Sequence, residues 1–307
     1  MENQNYAVID CGTNSTRLLI GNKLETLDRQ MKITRLGEGL EKSGEISRQA
    51  MTRVVDVLES FCTTLESHRV AEVRIVATSA ARDADNRDDF FSEVESVIGV
   101  TPELLTGEEE GRLAFAGAIA ELGDLKGPFL VLDIGGGSTE FVFGDRKAED
   151  IHSAQIGCVR LTEEFIENDP PLPEELHACL TVAGGHIDDA VRKIPKINEA
   201  LTLVGLAGTV SSVAAIEIGL EKYDRERIHH FRLSKDAVED VFRTLATENR
   251  QERTSNPGLD EDRTDVIVAG TAILVKVMRQ LEFTECLVSE SDILDGILHS
   301  MLFESEN

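Results

Sequence analysis

The sequence has no hydrophobic run long enough to cross a membrane, few cysteines and a shortage of positive charge. A membrane-spanning helix needs about 20 apolar residues in succession, so we expect a soluble protein without a membrane partner. The N-terminus shows no basic segment followed by an apolar one, which predicts no secretory signal and a cytoplasmic location. The five cysteines are scattered without a CxxC pair, which indicates reduced thiols rather than disulfides or a zinc site.

The charge balance is strongly acidic. Lysine and arginine number 31 against 57 aspartate and glutamate residues, so the formal net charge is −26. A nucleic-acid surface needs clustered basic residues, and we therefore expect no nucleic acid partner. Most of the acidic residues are expected on the surface, where they favour solubility. A polyanionic ligand would need arginines gathered at its site and a bridging divalent cation.

The sequence does contain one motif twice. Residues 7–21 read AVIDCGTNSTRLLIG and residues 130–144 read LVLDIGGGSTEFVFG, and the two align without a gap at an offset of 123 residues. Each copy has an apolar strand, an aspartate, a turn of glycine and hydroxyl residues, and a second apolar strand. Such a turn exposes backbone N–H groups that can bind phosphate, and the aspartate can hold Mg²⁺ or its waters. Two copies predict two lobes that close on one phosphorylated ligand.

Strand and helix patterns alternate along the rest of the chain, which is typical of an α/β fold. The apolar spacing and the cap signals predict helices near 47–69, 88–98, 106–122, 265–281 and 291–303. Thr106 and Glu109 fit a capping box, and Pro173 fits the first turn of a further helix. The acidic stretch 248–263 is predicted to be a surface loop.

The 307 residues are enough for about two domains. The segment GDLKGP at 123–128 interrupts the pattern just before the second copy of the motif. We therefore expect a first lobe over 1–120 and a second lobe over 121–307. The final helix, at about 291–303, is expected to pack back on the first lobe.

The segments IDCGTNSTRLLIG, VATSAARDADN, TGEEEGRLAFAGA, LDIGGGSTEFVFG and GLAGTVSSVAAIE carry a family resemblance. The chain resembles the exopolyphosphatase/guanosine pentaphosphate phosphatase (Ppx/GppA) family, in the actin, Hsp70 and sugar-kinase superfamily. The resemblance covers nearly the whole chain and is to the short, two-domain form. It implies two actin-like (ribonuclease H-like) α/β lobes with a ligand cleft between them, and a homodimer.

The resemblance also implies roles for individual residues. Glu110, in the Gly-Glu-Glu-Glu segment, would be the base that activates the attacking water, with Glu140 as a second catalytic carboxylate. Asp10, Asp133 and Glu140 would hold Mg²⁺, with Mn²⁺ as the second candidate. The predicted phosphate-binding residues lie in the small-residue turns or directly after them: Asn14, Ser15, Arg17, Ser79, Arg82, Gly136, Gly137, Ser138, Thr139, Gly208 and Thr209.

Some of these roles have a purely structural alternative. The glutamates at 108–110 also suit the first turn of a helix, where acidic residues favour the helix dipole. Glu140 could be a solvent-facing strand residue, and Arg82 could form a salt bridge with Asp83 or Asp85. The two copies of the motif differ in charge, since Arg17 aligns with Glu140, so the first would favour an anion and the second a cation.

The predicted activity is hydrolysis of a phosphoanhydride by direct attack of water, dependent on Mg²⁺. The substrate would be inorganic polyphosphate, the 5′-triphosphate end of pppGpp, or both. One alternative is an ATP-dependent kinase or ATPase of the same superfamily. The other is a sensor that binds (p)ppGpp with little turnover.

Overall fold

The structure is a computed structural model that describes residues 4–123 and 125–303. The chain forms two compact units, which are Met1–Gly117 with Ile293–Asn307, and Ala118–Asp292. The outer ends of the predicted lobes, at 1–3 and 304–307, lie outside the described residues. So does residue 124 in the predicted break.

The first unit is built on a five-stranded sheet in the order β3-β2-β1-β4-β5. β1, β2 and β3 are antiparallel neighbours, and β4 and β5 run parallel to β1 on its other side. The antiparallel pair β1–β2 is the first copy of the repeated motif. The strands are β1 Asn5–Cys11, β2 Ser15–Gly21, β3 Thr26–Ile33, β4 Val70–Ala77 and β5 Glu103–Leu104.

Helices cover this sheet and bury an apolar core that includes Phe61 and Phe90. Ser47 caps the second helix by accepting a hydrogen bond from the backbone N–H of Ala50, which confirms the helix predicted over 47–69. The helices are α1 Leu40–Ser43, α2 Arg48–Ser67, α3 Ser79–Asp83, α4 Arg87–Ile98 and α5 Gly107–Ala120, whose last residues belong to the second unit.

The second unit has a six-stranded sheet in the order β10-β11-β9-β6-β7-β8. Its β6, β7 and β8 are antiparallel neighbours, and β9 runs parallel to β6 on the other side. This repeats the plan of the first sheet, and the predicted pair of actin-like α/β lobes is confirmed at the level of fold. The strands are β6 Phe129–Ile134, β7 Thr139–Gly144, β8 Ala148–Ala154, β9 Thr202–Leu206, β10 Arg232–Ser234 and β11 Glu285–Val288.

The core of the second unit lies between this sheet and its helices, of which α12 is the most buried. Pro173 opens α7 at its first turn, as predicted. The helices are α6 Cys158–Phe165, α7 Pro173–Lys193, α8 Ala207–Ile218, α9 Arg225–Ile228, α10 Lys235–Thr247, α11 Arg250–Arg253 and α12 Ile267–Gln280, with short 3-10 helices at Ile197–Glu199 and Glu261–Arg263.

The prediction of a surface loop over 248–263 is wrong for part of the segment. It contains α11 and a 3-10 helix, and the Arg253 side chain is buried. This guanidinium donates to the carbonyls of Leu245 and Thr264 and to the carboxylate of Asp169, at 2.9–3.0 Å. The acidic composition of the segment did not predict this buried arginine, whose hydrogen bonds join three segments of the unit.

The last helix, α13 Ile293–Phe303, belongs to the first unit and packs on β1 and β2. Arg29 of β3 donates to the carboxylate of Asp295 in this helix at 2.5 Å. Over residues 4–123 and 125–303, no helix has both the length and the apolar character needed to cross a bilayer.

Candidate active site

The turns of the two hairpins close in the same way. In the first hairpin the N–H of Gly12 donates to the carbonyl of Ser15 at 3.0 Å. In the second, the N–H of Gly135 donates to the carbonyl of Ser138 at the same distance. The aligned positions of the sequence repeat therefore have the same backbone bond, so the repeat extends to the local structure.

The first turn is braced by the segment that follows β3. The N–H groups of Thr34 and Arg35 both donate to the carbonyl of Asn14, at 3.0 and 2.9 Å, and that of Gly37 donates to the carbonyl of Thr13 at 2.9 Å. The Nδ2 of Asn14 is buried, and no acceptor for it lies within the part of the chain that the structure describes. An anion bound in the turn would satisfy this buried amide donor.

The second turn is braced by the start of α6. The N–H groups of Val159 and Arg160 donate to the carbonyl of Gly136, at 2.9 and 3.1 Å. The Arg160 side chain also donates through Nε to the carbonyl of Gly137 at 2.9 Å. Gly157 lies so close that a Cβ there would be 2.3 Å from the carbonyl oxygen of Gly136. The conformation of this turn therefore depends on a residue without a side chain at position 157.

The two hairpins differ in charge. Asp10 and Arg17 are directly opposite across β1 and β2. The Nε and Nη2 of Arg17 donate to the same carboxylate oxygen, at 3.0 and 2.6 Å, and the Asp10 side chain is only 3% exposed. The first hairpin therefore holds a buried ion pair, in which Arg17 offsets the charge of Asp10.

In the second hairpin the same two positions are both acidic. Asp133 and Glu140 are directly opposite across β6 and β7, and both are buried. The Glu140 side chain accepts a hydrogen bond from the hydroxyl of Ser153 on β8 at 2.8 Å. Burial of Glu140 excludes the alternative that it is a solvent-facing strand residue. Like charges at directly opposite positions of two strands repel each other, and a bound cation would offset this repulsion.

Among the described residues, no three or more His, Cys, Asp or Glu side chains form a group that could hold a metal ion. Mg²⁺, however, keeps several waters and is held by one or two carboxylates together with substrate phosphates. The facing pair of Asp133 and Glu140 fits that requirement, whereas the Asp10 carboxylate already faces a guanidinium. The ligand role of Asp10 stays a prediction.

The consecutive glutamates at the start of α5 have separate partners. Glu108 is exposed and pairs with Arg112 one turn along the helix. Glu109 forms the predicted capping box, since its carboxylate accepts from the N–H and hydroxyl of Thr106, which also lower the pKa of Glu109. These two side chains therefore have structural roles at the start of the helix.

Glu110 lies in a different environment. Its carboxylate accepts a hydrogen bond from the Nη1 of Arg82 at 2.7 Å, and both side chains are mostly buried, at 13% and 16% exposed. Burial raises the pKa of Glu110, and the charge of Arg82 opposes this rise. The charges of Asp10 and Arg17 also act on the pKa of Glu110, so the ion pair of the first hairpin lies near enough to affect this carboxylate. The first unit thus brings together four predicted residues: Asp10, Arg17, Arg82 and Glu110.

The remaining predicted residues lie at strand ends within their own units. Ser79 begins α3, with one residue between it and the end of β4, and Gly208 and Thr209 lie in the first turn of α8 after β9. Gly208 packs on the guanidinium of Arg263. Thr139 is fully buried, and its hydroxyl donates to the carbonyl of Ile156 at 2.8 Å. The hydroxyl proton of Thr139 is therefore engaged within the unit.

Sequence reasoning did not single out Ser153, Gly157 or Arg263. Gly157 lies in the segment GCVRLTEEF, which follows the second hairpin. Ser153 has no motif around it, but a third antiparallel strand after the hairpin puts it directly opposite Glu140. Prediction of the pairing between β7 and β8 could have identified Ser153 as a neighbour of Glu140.

The two units, each with a strand–aspartate–turn–strand hairpin, define an actin-like α/β protein. Residues 3–305 match the model of the Ppx/GppA phosphatase family. The chain therefore belongs to this family, and the resemblance inferred from its motifs is confirmed.

Two curated relatives show the range of the family. The chain is 38% identical over 312 residues to Exopolyphosphatase 2 of Mycobacterium tuberculosis, covering 96% of this chain and 98% of that protein. It is 30% identical over 310 residues to the guanosine-5′-triphosphate,3′-diphosphate pyrophosphatase of Pseudoalteromonas translucida, covering 98% of this chain and 60% of that protein. The second relative therefore has a large part without a counterpart here.

Solved structures share the fold over almost the whole length. An exopolyphosphatase-like protein superposes with a TM-score of 0.93 at 34% identity, covering 97% of this chain and 98% of the other. The PPX-GPPA enzyme of Aquifex aeolicus superposes with a TM-score of 0.81 at 32% identity, covering 97% and 99%. The fold of this chain is thus that of the family.

Proposed function

We propose that the protein is a divalent-cation-dependent hydrolase that releases terminal phosphate from inorganic polyphosphate, pppGpp or both. The observation that carries this proposal is the buried Glu110, held by Arg82 close to the Asp10–Arg17 pair of the first hairpin. The relatives named as exopolyphosphatase and as guanosine-5′-triphosphate,3′-diphosphate pyrophosphatase support the choice of substrates.

In this reaction Glu110 accepts a proton from the attacking water as the water's oxygen bonds to the terminal phosphorus. The phosphoanhydride bond breaks, and the shortened substrate leaves with the bridging oxygen. A general base works best when its pKa lies near the working pH, and burial moves the pKa of Glu110 upward in that direction. An aligned carboxylate of this kind accounts for about 10²–10⁴-fold in rate.

Phosphoryl oxygens would be held by the turns. In the first hairpin we assign Asn14, Ser15 and Arg17 to this role, and in the second Gly136, Gly137 and Ser138. Ser79, Gly208 and Thr209 stay candidate donors, because the start of a helix binds anions. The role of Thr139 stays a prediction that depends on its backbone N–H, because its hydroxyl already donates to the carbonyl of Ile156. The closure of both lobes on one ligand stays a prediction.

Asp133 and Glu140 would hold the cation, which we propose to be Mg²⁺, with Mn²⁺ as the second candidate. When bound, the cation offsets the negative charge of the phosphates and of the two facing carboxylates. Ser153 keeps one Glu140 oxygen in place. We further propose that the protein acts in the cytoplasm and that it is a homodimer, the latter as the family resemblance implies.

The test is phosphate release from polyphosphates of several lengths, pppGpp and ATP, with and without Mg²⁺. We expect Mg²⁺-dependent release from polyphosphate, pppGpp or both, and little from ATP. ADP formed from ATP faster than phosphate is released from polyphosphate would support a kinase or ATPase instead. Full recovery of polyphosphate and pppGpp after long incubation would support a sensor. Either result would contradict the proposal.

A further inference from the structure

Arg82 joins the end of one strand to the start of the helix that carries Glu110. Its Nη1 donates to the carbonyl of Leu105 at 2.9 Å and to the carboxylate of Glu110 at 2.7 Å. A guanidinium Nη carries two hydrogens. Both hydrogens of this nitrogen are therefore donated to the protein itself, one on each side of the start of α5.

Arg82 and its acceptor Leu105 are both held by backbone hydrogen bonds. Arg82 lies in α3, where its N–H donates to the carbonyl of Thr78 at 3.0 Å. Leu105 is tied to β4, because its N–H donates to the carbonyl of Ala77 at 3.0 Å. Arg82 thus links Glu110 to the carboxyl end of β4 through rigid elements, and the carboxylate has a defined position.

We infer that Arg82 is a positioning residue, which holds the Glu110 carboxylate for attack by water and is not primarily a phosphate ligand. This inference rests on the proposed function, and it revises the role that the family resemblance implied for Arg82. The structural alternative, a salt bridge with Asp83 or Asp85, does not describe the bond to Glu110 that the structure contains.

The charges around Glu110 explain why the link matters. Arg82 and Arg17 stabilise the carboxylate, and Asp10 opposes them. Arg17 is already paired with Asp10 in the first hairpin. Loss of Arg82 would remove the guanidinium that donates to Glu110 in a mostly buried site, so the carboxylate would lose its orientation and its ionised form would be less favoured.

The experiment is a double-mutant cycle of Arg82→Met with Glu110→Gln. If Arg82 acts through Glu110, Arg82→Met alone lowers kcat roughly 10²-fold and leaves KM within about threefold. In the Glu110→Gln background, the second change lowers kcat by no more than about twofold, because its target is already gone. Arg82→Lys, which keeps the charge on a different geometry, should recover part of kcat.

Binding separates positioning from phosphate contact without relying on turnover. We expect the Kd of Glu110→Gln for a polyphosphate of defined length, measured by calorimetry, to change less than about threefold when Arg82→Met is added. A tenfold weaker Kd in that background would overturn the inference and make Arg82 a phosphate ligand. So would a kcat loss from Arg82→Met as large in Glu110→Gln as in the wild type.

The control is Arg112→Met, which removes the exposed Glu108–Arg112 pair from the same helix. It should leave kcat and KM unchanged, and thermal unfolding of every variant shows whether it is folded. If Arg82→Met fails to fold, the comparison of Arg82→Lys with Glu110→Gln carries the same test. Absence of phosphate release by the wild type would refute the proposed function, whereas the binding arm tests Arg82 by itself.

Discussion

The two hairpins have the same backbone and different chemistry. Each has a strand, an aspartate, a turn closed by a glycine N–H and a second strand in the same register. They differ in the residue that lies opposite the aspartate, which is Arg17 in the first hairpin and Glu140 in the second. The first hairpin is thus neutralised from within, whereas the second presents two buried carboxylates.

Under the proposed function, this difference gives the two copies of the repeat different roles. A turn that exposes N–H groups suits a phosphate in both copies, so the backbone can be reused. The facing position then decides the ion: an arginine completes an ion pair with the aspartate, and a glutamate adds to its charge. In our account, the first hairpin binds anionic substrate and influences the base, and the second binds the cation.

The largest predicted effect is a loss of Mg²⁺-dependent activity when the second hairpin loses one of its two carboxylate charges. Glu140→Gln should lower kcat/KM roughly 10²–10³-fold, since one of two carboxylates that hold the cation is removed. The measurement is phosphate release over a titration of Mg²⁺, together with direct Mn²⁺ binding by the purified variant. Ser153→Ala, which removes only the hydrogen bond to Glu140, should show a smaller loss in both. Wild-type Mn²⁺ binding by Glu140→Gln would contradict the division between the hairpins.

Much of this comparison is visible in the sequence, because the repeat aligns without a gap and strand pairing follows from it. The capping box of Thr106 and Glu109 is also local, and is confirmed. The pairing of Arg82 with Glu110 is not local: it joins two helices 28 residues apart. The buried Arg253 was missed for the same reason, since its partner Asp169 is distant in sequence.

The next effect concerns stability. Arg17→Gln leaves the buried Asp10 without its guanidinium, so we expect the free energy of unfolding to fall by about 3 kcal/mol. Asp10→Asn in the same chain should restore most of it, because no buried charge is then left unpaired. Urea denaturation measures both. The exposed pair offers a matched control, Arg112→Gln, with an expected loss below about 0.5 kcal/mol. Equal losses in the free energy of unfolding for Arg17→Gln and the control would show that the Asp10–Arg17 ion pair does not stabilise the protein.

A smaller loss is expected where the second turn meets α6. Gly157→Ala puts a Cβ against the carbonyl of Gly136, and we expect a loss of about 2 kcal/mol and weaker polyphosphate binding. The backbone of Gly157 is extended, so the effect comes from the contact alone. In Gly185→Ala the new Cβ meets open space on α7, and this control should stabilise the protein by about 0.5–1 kcal/mol. Unchanged binding by Gly157→Ala would show that the turn tolerates displacement.

The smallest effect is a shift in the pH profile. Burial raises the pKa of Glu110 above the ordinary 4.5, so kcat should fall on the acid side at a pH above that value as the base becomes protonated. The charge of Asp10 adds to the rise. Asp10→Asn should therefore lower the pKa of Glu110 and move the acid limb of kcat to lower pH. A shift to higher pH would mean that Asp10 does not act on the base in this way.

The central claim is that Glu110 activates the attacking water. Its most direct test is single-turnover phosphate release by Glu110→Gln with saturating polyphosphate and Mg²⁺, beside calorimetric binding of the same substrate. The account predicts a rate lowered by about 10²–10⁴-fold with the Kd unchanged within about threefold. A rate near that of the wild type with unchanged binding would contradict it.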